Sequence, residues 1–220
     1  AAPTRLALGR KGREVGAKQG TGRMKVLGFV SAAAVGVIAG AVGGIYVLQH
    51  STLGSETYGG WVGSKLAGSA AADPFTRALI AKGGLLALNR SETIYFTLTK
   101  DEHGRPLTQN CAYQLKGGAF PARWWSVTIY AADDFLPQNH DHAQSIDQTR
   151  AERDAGGGWT AAVSLQRPPP GGPPNWISTW NAGKFSLTLR LYNPSPAAAN
   201  DPHLISFPQI TTTSCSGAAA

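Results

Sequence analysis

Phe185-Ser186-Leu187-Thr188-Leu189-Arg190-Leu191-Tyr192 alternates apolar and polar side chains without a break. Successive side chains of an extended strand point to opposite faces. The run therefore predicts a half-buried strand with Phe185, Leu187, Leu189 and Leu191 on one side and Ser186, Thr188, Arg190 and Tyr192 on the other. Working outward, the same period of two marks residues 93–99, rich in β-branched and aromatic residues, and residues 111–115, 124–130 and 159–165. Alternation of this kind suits antiparallel sheets with one packed face. Gly and Pro punctuate the strands, and Asp101-Glu102-His103-Gly104 reads as a turn. The expected fold is mainly β, an antiparallel sandwich or jelly-roll-like domain with one or two short helices. Asp73-Pro74 reads as an N-cap followed by proline in the first turn, which predicts a helix over 73–89, weakened at Gly83-Gly84. The connections 131–158 and 166–184 read as surface loops, with extended polyproline geometry from Arg167 to Pro174.

The composition is 42% apolar and 15% charged, with two cysteines among 220 residues. That excludes a disulfide-dense scaffold and a four-cysteine zinc site. The net charge of +7 is concentrated at one end: residues 1–25 hold seven basic side chains against Glu14 alone, whereas residues 51–220 hold 13 basic and 12 acidic ones. A nucleic-acid-binding module carries its positive charge on the folded part, so nucleic acid is not an expected partner.

Val26 to Leu48 is 23 residues without a charge, about 34 Å as a helix, enough to span a hydrocarbon core of about 30 Å. It is longer than the apolar region of a cleaved signal and leads through Ile45-Tyr46-Val47-Leu48 without a small-x-small site, which fits a permanent anchor. Basic residues precede it and the first charge after it is Glu56, so the positive-inside rule puts the tail in the cytoplasm and the remainder in the periplasm of a bacterial inner membrane. Gly28, Ala32, Gly36, Gly40 and Gly44 recur every four residues, a stripe that lets a second membrane helix approach closely. The expected organisation is a basic tail (1–25), a transmembrane helix (26–48), a linker and domain entry (49–72), a periplasmic β-sandwich (73–210) and a C-terminal tail (211–220).

Candidate chemistry is sparse. His140-Asp141-His142, with Asp133 and Asp134 upstream, offers metal-type ligands, but on what reads as a solvated loop with no third ligand placed; no metal or cofactor is expected. Ser126, Ser145 and Ser164 lack a nucleophile elbow, and no phosphate loop or dinucleotide fingerprint occurs. No catalytic residue is assigned. Arg190 is a candidate ligand contact, since an arginine among buried leucines needs an anion if it faces inward; its other reading is the solvent side of the strand. The six tryptophans read as core and interface packing. Cys111 and Cys215 both follow the membrane segment, and an oxidising compartment favours a disulfide between them.

Gly60-Trp61, Arg77-Ala78, Gly84-Leu85-Leu86-Ala87-Leu88-Asn89, Trp125-Ser126-Val127-Thr128-Ile129-Tyr130, Asn139, Ser145, Asn175-Trp176 and the strand 185–192 together resemble the uncharacterised bacterial family called domain of unknown function 1214. The resemblance runs from Gly59 to about Ile210. It departs where Ala143-Gln144 stands in place of the Arg-Tyr that family members tend to carry before the serine. The resemblance implies a β-sandwich, in membrane-anchored proteins or in the C-terminal half of larger ones, and brings no reaction. The expected function is an accessory or interaction subunit of a membrane assembly (respiratory, photosynthetic or transport). Its partners would be lipid and another membrane subunit, or a second copy. The alternative is a periplasmic enzyme or a small-molecule or glycan-binding module.

Overall fold

The computed structural model describes residues 20–50, 55–69, 71–82 and 88–216. They fall into two units, a helix within residues 1–51 and a β-rich unit within 52–220. The helix α1 (Gly20–His50) contains an apolar span, Gly28–Val47, that is long enough to cross a membrane. The basic tail before Gly20 lies outside the described residues.

Among the described residues the second unit has ten strands. A six-stranded sheet is built from β1 (Ser55–Tyr58), β2 (Trp61–Ser64), β3 (Thr93–Leu98), β5 (Ala122–Ala131), β6 (Ser145–Asp147) and β9 (Phe185–Pro194). Its spatial order is β1-β2-β3-β9-β5-β6, antiparallel throughout. A four-stranded sheet is built from β4 (Cys111–Gly117), β7 (Trp159–Ser164), β8 (Asn175–Ser178) and β10 (Gln209–Cys215), in the order β10-β4-β7-β8. Here the expectation of wholly antiparallel pairing meets one exception, because β7 and β8 run parallel. The Pro- and Gly-rich segment 165–174 carries the chain back to the start of β7, the kind of crossover a parallel pair needs. Asn175 fixes the arrival point: its amide nitrogen donates to Thr160 O and Glu152 O, and its oxygen accepts from Glu152 N.

The core lies between the sheets. Leu187, Leu189 and Leu191 of β9 meet Tyr113, Leu115, Val163 and Ile177 of the other sheet in one buried cluster, and the three leucines are fully buried. Burial of each is worth roughly 1.5–3 kcal/mol. Two tryptophans lock the layers together. Trp125 of β5 stacks on Trp159 of β7 with ring centres 4.9 Å apart, and Phe120 meets Trp125 edge-on at 5.3 Å. Gly117 is what lets Trp159 lie flat, because a Cβ there would overlap its indole. Two buried indole N–H groups find a carbonyl: Trp159 donates to Gly118 O at 3.1 Å, and Trp61 to Pro208 O at 2.8 Å.

The sandwich is larger than its predicted bounds. The region read as a linker, 49–72, contains the hairpin β1–β2, turned by Gly59-Gly60 with φ of 56° and 89°. Two consecutive positive φ values suit the primed hairpin turns, which glycine adopts without strain. The region read as a tail, 211–220, contains most of β10, and the regions read as loops contain β6 and β8. The helix predicted over 73–89 is α2 (Pro74–Lys82), capped by Asp73, whose carboxylate accepts from Thr76 N and Thr76 Oγ1. Residues 83–87 lie outside the described residues, and Leu88 and Asn89 are not helical. A short helix, α3 (Pro196–Asn200), follows β9.

Strand β10 is polar, and three devices hold it. It pairs with β4, its Thr212 donates to Glu102 and Asp101 of the turn after β3, and Cys215 is bonded to Cys111 directly across the ladder. The bridge closes a loop of 104 residues, worth about 4–5 kcal/mol in the chain-entropy account. Reduction, or Cys111→Ser with Cys215→Ser, is expected to lower the unfolding free energy by a sizeable part of that amount in a urea titration followed by tryptophan fluorescence. Unchanged stability would show that the ladder and the acidic turn hold β10 unaided.

Candidate functional site

The alternation of β9 that buries its leucines puts its even-numbered side chains on the outer face of the six-stranded sheet. The register aligns them with their neighbours in rows. One row runs Tyr95, Arg190, Ser126, Asp147; the next runs Thr97, Thr188, Thr128, Ser145; a third pairs Ser186 with Tyr130. On the other side of the arginine row stand Thr93, Tyr192 and Trp124. The face is polar yet only partly open: Thr93, Ser126, Asp147 and Thr188 are buried, and Tyr95, Tyr130 and Arg190 are half-buried.

Arg190 takes the outward reading, but as part of a constellation. Its Nη2 donates to Tyr130 Oη at 2.7 Å, and its guanidinium carbon lies 5.2 Å from the Tyr130 ring centre and 5.9 Å from that of Tyr95. Among the described residues Arg190 has no ion pair; those present join Lys65 to Glu56, His103 to Glu102, Arg105 to Asp101 and Arg150 to Asp147. The carboxylate of its own row, Asp147, is already engaged by Arg150 Nε at 2.5 Å and by the backbone N–H groups of Thr149 and Arg150. Burial pushes the Asp147 carboxyl up, and these hydrogen bonds outweigh it, holding the group below the usual carboxylate range.

The other arginine that sequence reasoning passed over shows the contrast. Arg90 donates its Nε and Nη2 to Ala199 O and its Nη1 to Ser64 O, fastening β2 and α3 to the start of β3. Burial lowers its pKa. All three of its nitrogens donate to backbone carbonyls, so it ties chain segments together.

Concavities adjoin both sheets. One, of about 290 Å³, lies on the outer face of the six-stranded sheet near the start of β9 and is lined by Thr97, Thr99, Asp134, Lys184 and Ser186 among others. Another, of about 480 Å³, lies on the four-stranded sheet and is lined by Gln109, Asn110, Gln114, Gln166 and Arg167 with Pro168. At one end of the sandwich Phe135, Leu136 and Trp180 are exposed, on two loops joined by hydrogen bonds from Asn139 to Trp180 O and from Asn181 to Gln138 O.

The remaining sequence candidates are dispersed. His140 and His142 are exposed, while Asp141 accepts a hydrogen bond from Ser178 Oγ. Among the described residues no group of three His, Cys, Asp or Glu side chains could hold a metal ion. Ser145 Oγ accepts from Arg150 and Ser164 Oγ donates to Gln166 O. On α1, Gly28, Ala32, Gly36 and Gly40 are exposed and Gly44 is half-buried; a Cβ on any of these glycines would meet no atom within 4 Å.

A depressed carboxyl pKa stabilises the fold above its unfolded value of about 3.9, and the contribution fades as pH falls through the folded value. Asp147→Asn is therefore expected to cost about 1–3 kcal/mol at neutral pH. The gap between variant and parent should narrow as the pH is taken below about 4, read from urea midpoints at each pH. A gap that stays constant would show that the charge of Asp147 contributes nothing.

The model of the family described as "Protein of unknown function (DUF1214)" matches residues 92–196, the stretch from β3 through β9. No curated protein matches the chain. Among solved structures, the chain is similar to the VPA0106 protein from Vibrio parahaemolyticus, with 21% identity and a TM-score of 0.57 over 84% of this chain and 45% of that one. An uncharacterised protein from Burkholderia cenocepacia matches at 16% identity and a TM-score of 0.41, over 55% of this chain and 29% of that one. The chain thus spans less than half the length of either protein. The stretch that matches the DUF1214 family model, residues 92–196, includes the strand with Arg190 and its tyrosine neighbours, and this part of the chain is similar to proteins of unknown function.

Proposed function

We propose that this chain is a single-pass membrane protein whose sandwich is a non-enzymatic accessory or interaction module of a membrane assembly. The observation that carries the reading is the glycine stripe of α1: a span of membrane-crossing length, Gly28–Val47, in which Gly28, Gly36, Gly40 and Gly44 leave an open groove along one side. Lipid tails fill such a groove poorly, whereas a second helix can bring its backbone close and gain dispersion contacts along the whole seam. The partner is another membrane subunit or a second copy of this chain.

The charge asymmetry supports a cytoplasmic N-terminus and a periplasmic sandwich, since the basic residues precede the span and Glu56 is the first charge after it. The Cys111–Cys215 bridge is in keeping with an oxidising compartment. A ligand-binding role for the sandwich is the second reading, and Arg190 without a carboxylate partner among the described residues is the observation that favours it.

Gly36→Leu with Gly40→Leu fills the groove while making the span more apolar. Membrane retention on alkaline carbonate washing is expected to persist. Association with the helix partner, read by co-purification in mild detergent, is expected to weaken about tenfold, since helix pairs of this kind are worth about 1–2 kcal/mol. Full association of the double variant would remove the stripe from the interface, and release of the parent protein by carbonate would remove the anchor.

A further inference from the structure

We propose that the outer face of the six-stranded sheet is an oxyanion-binding site, in which Arg190 pairs with a carboxylate or phosphate group of a ligand. This deepens the ligand-binding reading of the sandwich and is independent of the helix.

A guanidinium has five N–H donors in a fixed plane. In Arg190 one of them serves Tyr130 Oη, and no other hydrogen bond or ion pair engages the group among the described residues. The charge is half-buried between two tyrosine rings, where it interacts more strongly with a ligand charge than it would in bulk water. The nearest carboxylate in register, Asp147, is held by Arg150, an ion pair at the far end of the same row. Another cation of this sheet, Lys184, lines a separate cavity together with Asp134, which leaves it apart from the row of Arg190.

The surroundings select an anion with several acceptor oxygens. Between the row of Arg190 and the row of Tyr130 lie Thr188 and Thr128, and Ser126 stands opposite Arg190 on β5. The tyrosine phenol accepts from the guanidinium, which leaves its own proton to donate outward. A ligand oxyanion would thus meet a planar cationic fork and a phenolic O–H from one direction. This is the donor set that recognises carboxylate and phosphate bidentately, and it offers nothing to an ammonium group. Both residues sit on paired interior strands, β9 and β5, so the geometry is fixed before a ligand arrives and little ordering entropy opposes binding.

The test is calorimetric titration of the full detergent-solubilised chain at low ionic strength with two probes, benzoate and inorganic phosphate. At least one is expected to bind saturably, and which one does so assigns the ligand class. Arg190→Gln should weaken that binding about tenfold or more and Tyr130→Phe about threefold, whereas Lys184→Gln should leave it unchanged. Because a substitution in an interior strand can perturb folding, the Arg190 Nε–Hε resonance of the unaltered protein is followed in parallel and is expected to shift along the titration. Failure of both probes to bind overturns the proposal. So does binding that survives Arg190→Gln in the folded variant, or an Arg190 resonance that stays fixed while a probe binds. None of these outcomes bears on the membrane anchor, which carbonate extraction tests separately.

Discussion

The period-two alternation of β9 is the constraint on which the sandwich depends. The strand is interior to the larger sheet, paired along most of its length with β3 on one side and β5 on the other. A slip of one residue would turn Leu187, Leu189 and Leu191 to the outer face and drive Thr188 and Arg190 into the core. The same alternation therefore decides two things at once. It places three leucines against the smaller sheet, and it mounts Arg190 on the opposite surface in line with Tyr95 and Ser126. The candidate site is positioned by the packing of the core rather than by a mobile loop.

Around that strand the sheets are joined by a few specific contacts. The Trp125–Trp159 stack bridges the layers, and Gly117 makes room for it. The smaller sheet needs more help, since β10 carries Ile210 as its one buried residue. The disulfide and the Asp101–Glu102 turn take the place of a hydrophobic face there. The sandwich combines a conventional apolar centre with an edge held by covalent and charged contacts.

Five strands were legible in the sequence because each presents an unbroken alternation with aromatic or β-branched residues, as in Trp124 to Tyr130. The strands that were not legible lack that signal. β6 is three residues and β8 four, too short for a period to register, and each exists because a longer neighbour offers a free edge. β1 and β2 are four residues each, and the cue that would have found them is local: Gly59-Gly60 between Tyr58 and Trp61 is a hairpin turn signal. β10 reads as a polar tail because what holds it, Cys111 and the acids at 101 and 102, lies about 100 residues away in sequence. Arg190 could be singled out from its leucine neighbours, whereas Tyr95 and Tyr130 could not be joined to it without the register of three strands. Arg90 carried no periodic signal, since its partners are backbone carbonyls.

The chain holds a helix of membrane-crossing length and a β-sandwich, similar over residues 92–196 to the DUF1214 family, whose larger sheet displays an arginine in a tyrosine setting. The claim that β9 organises both the core and the site is tested most directly by amide hydrogen exchange of the full chain in lipid nanodiscs. The account predicts that residues 186–191 are among the slowest to exchange, opening only with global unfolding, while the edge hairpin 55–64 exchanges faster. Exchange of β9 as fast as that of the edge hairpin would contradict it.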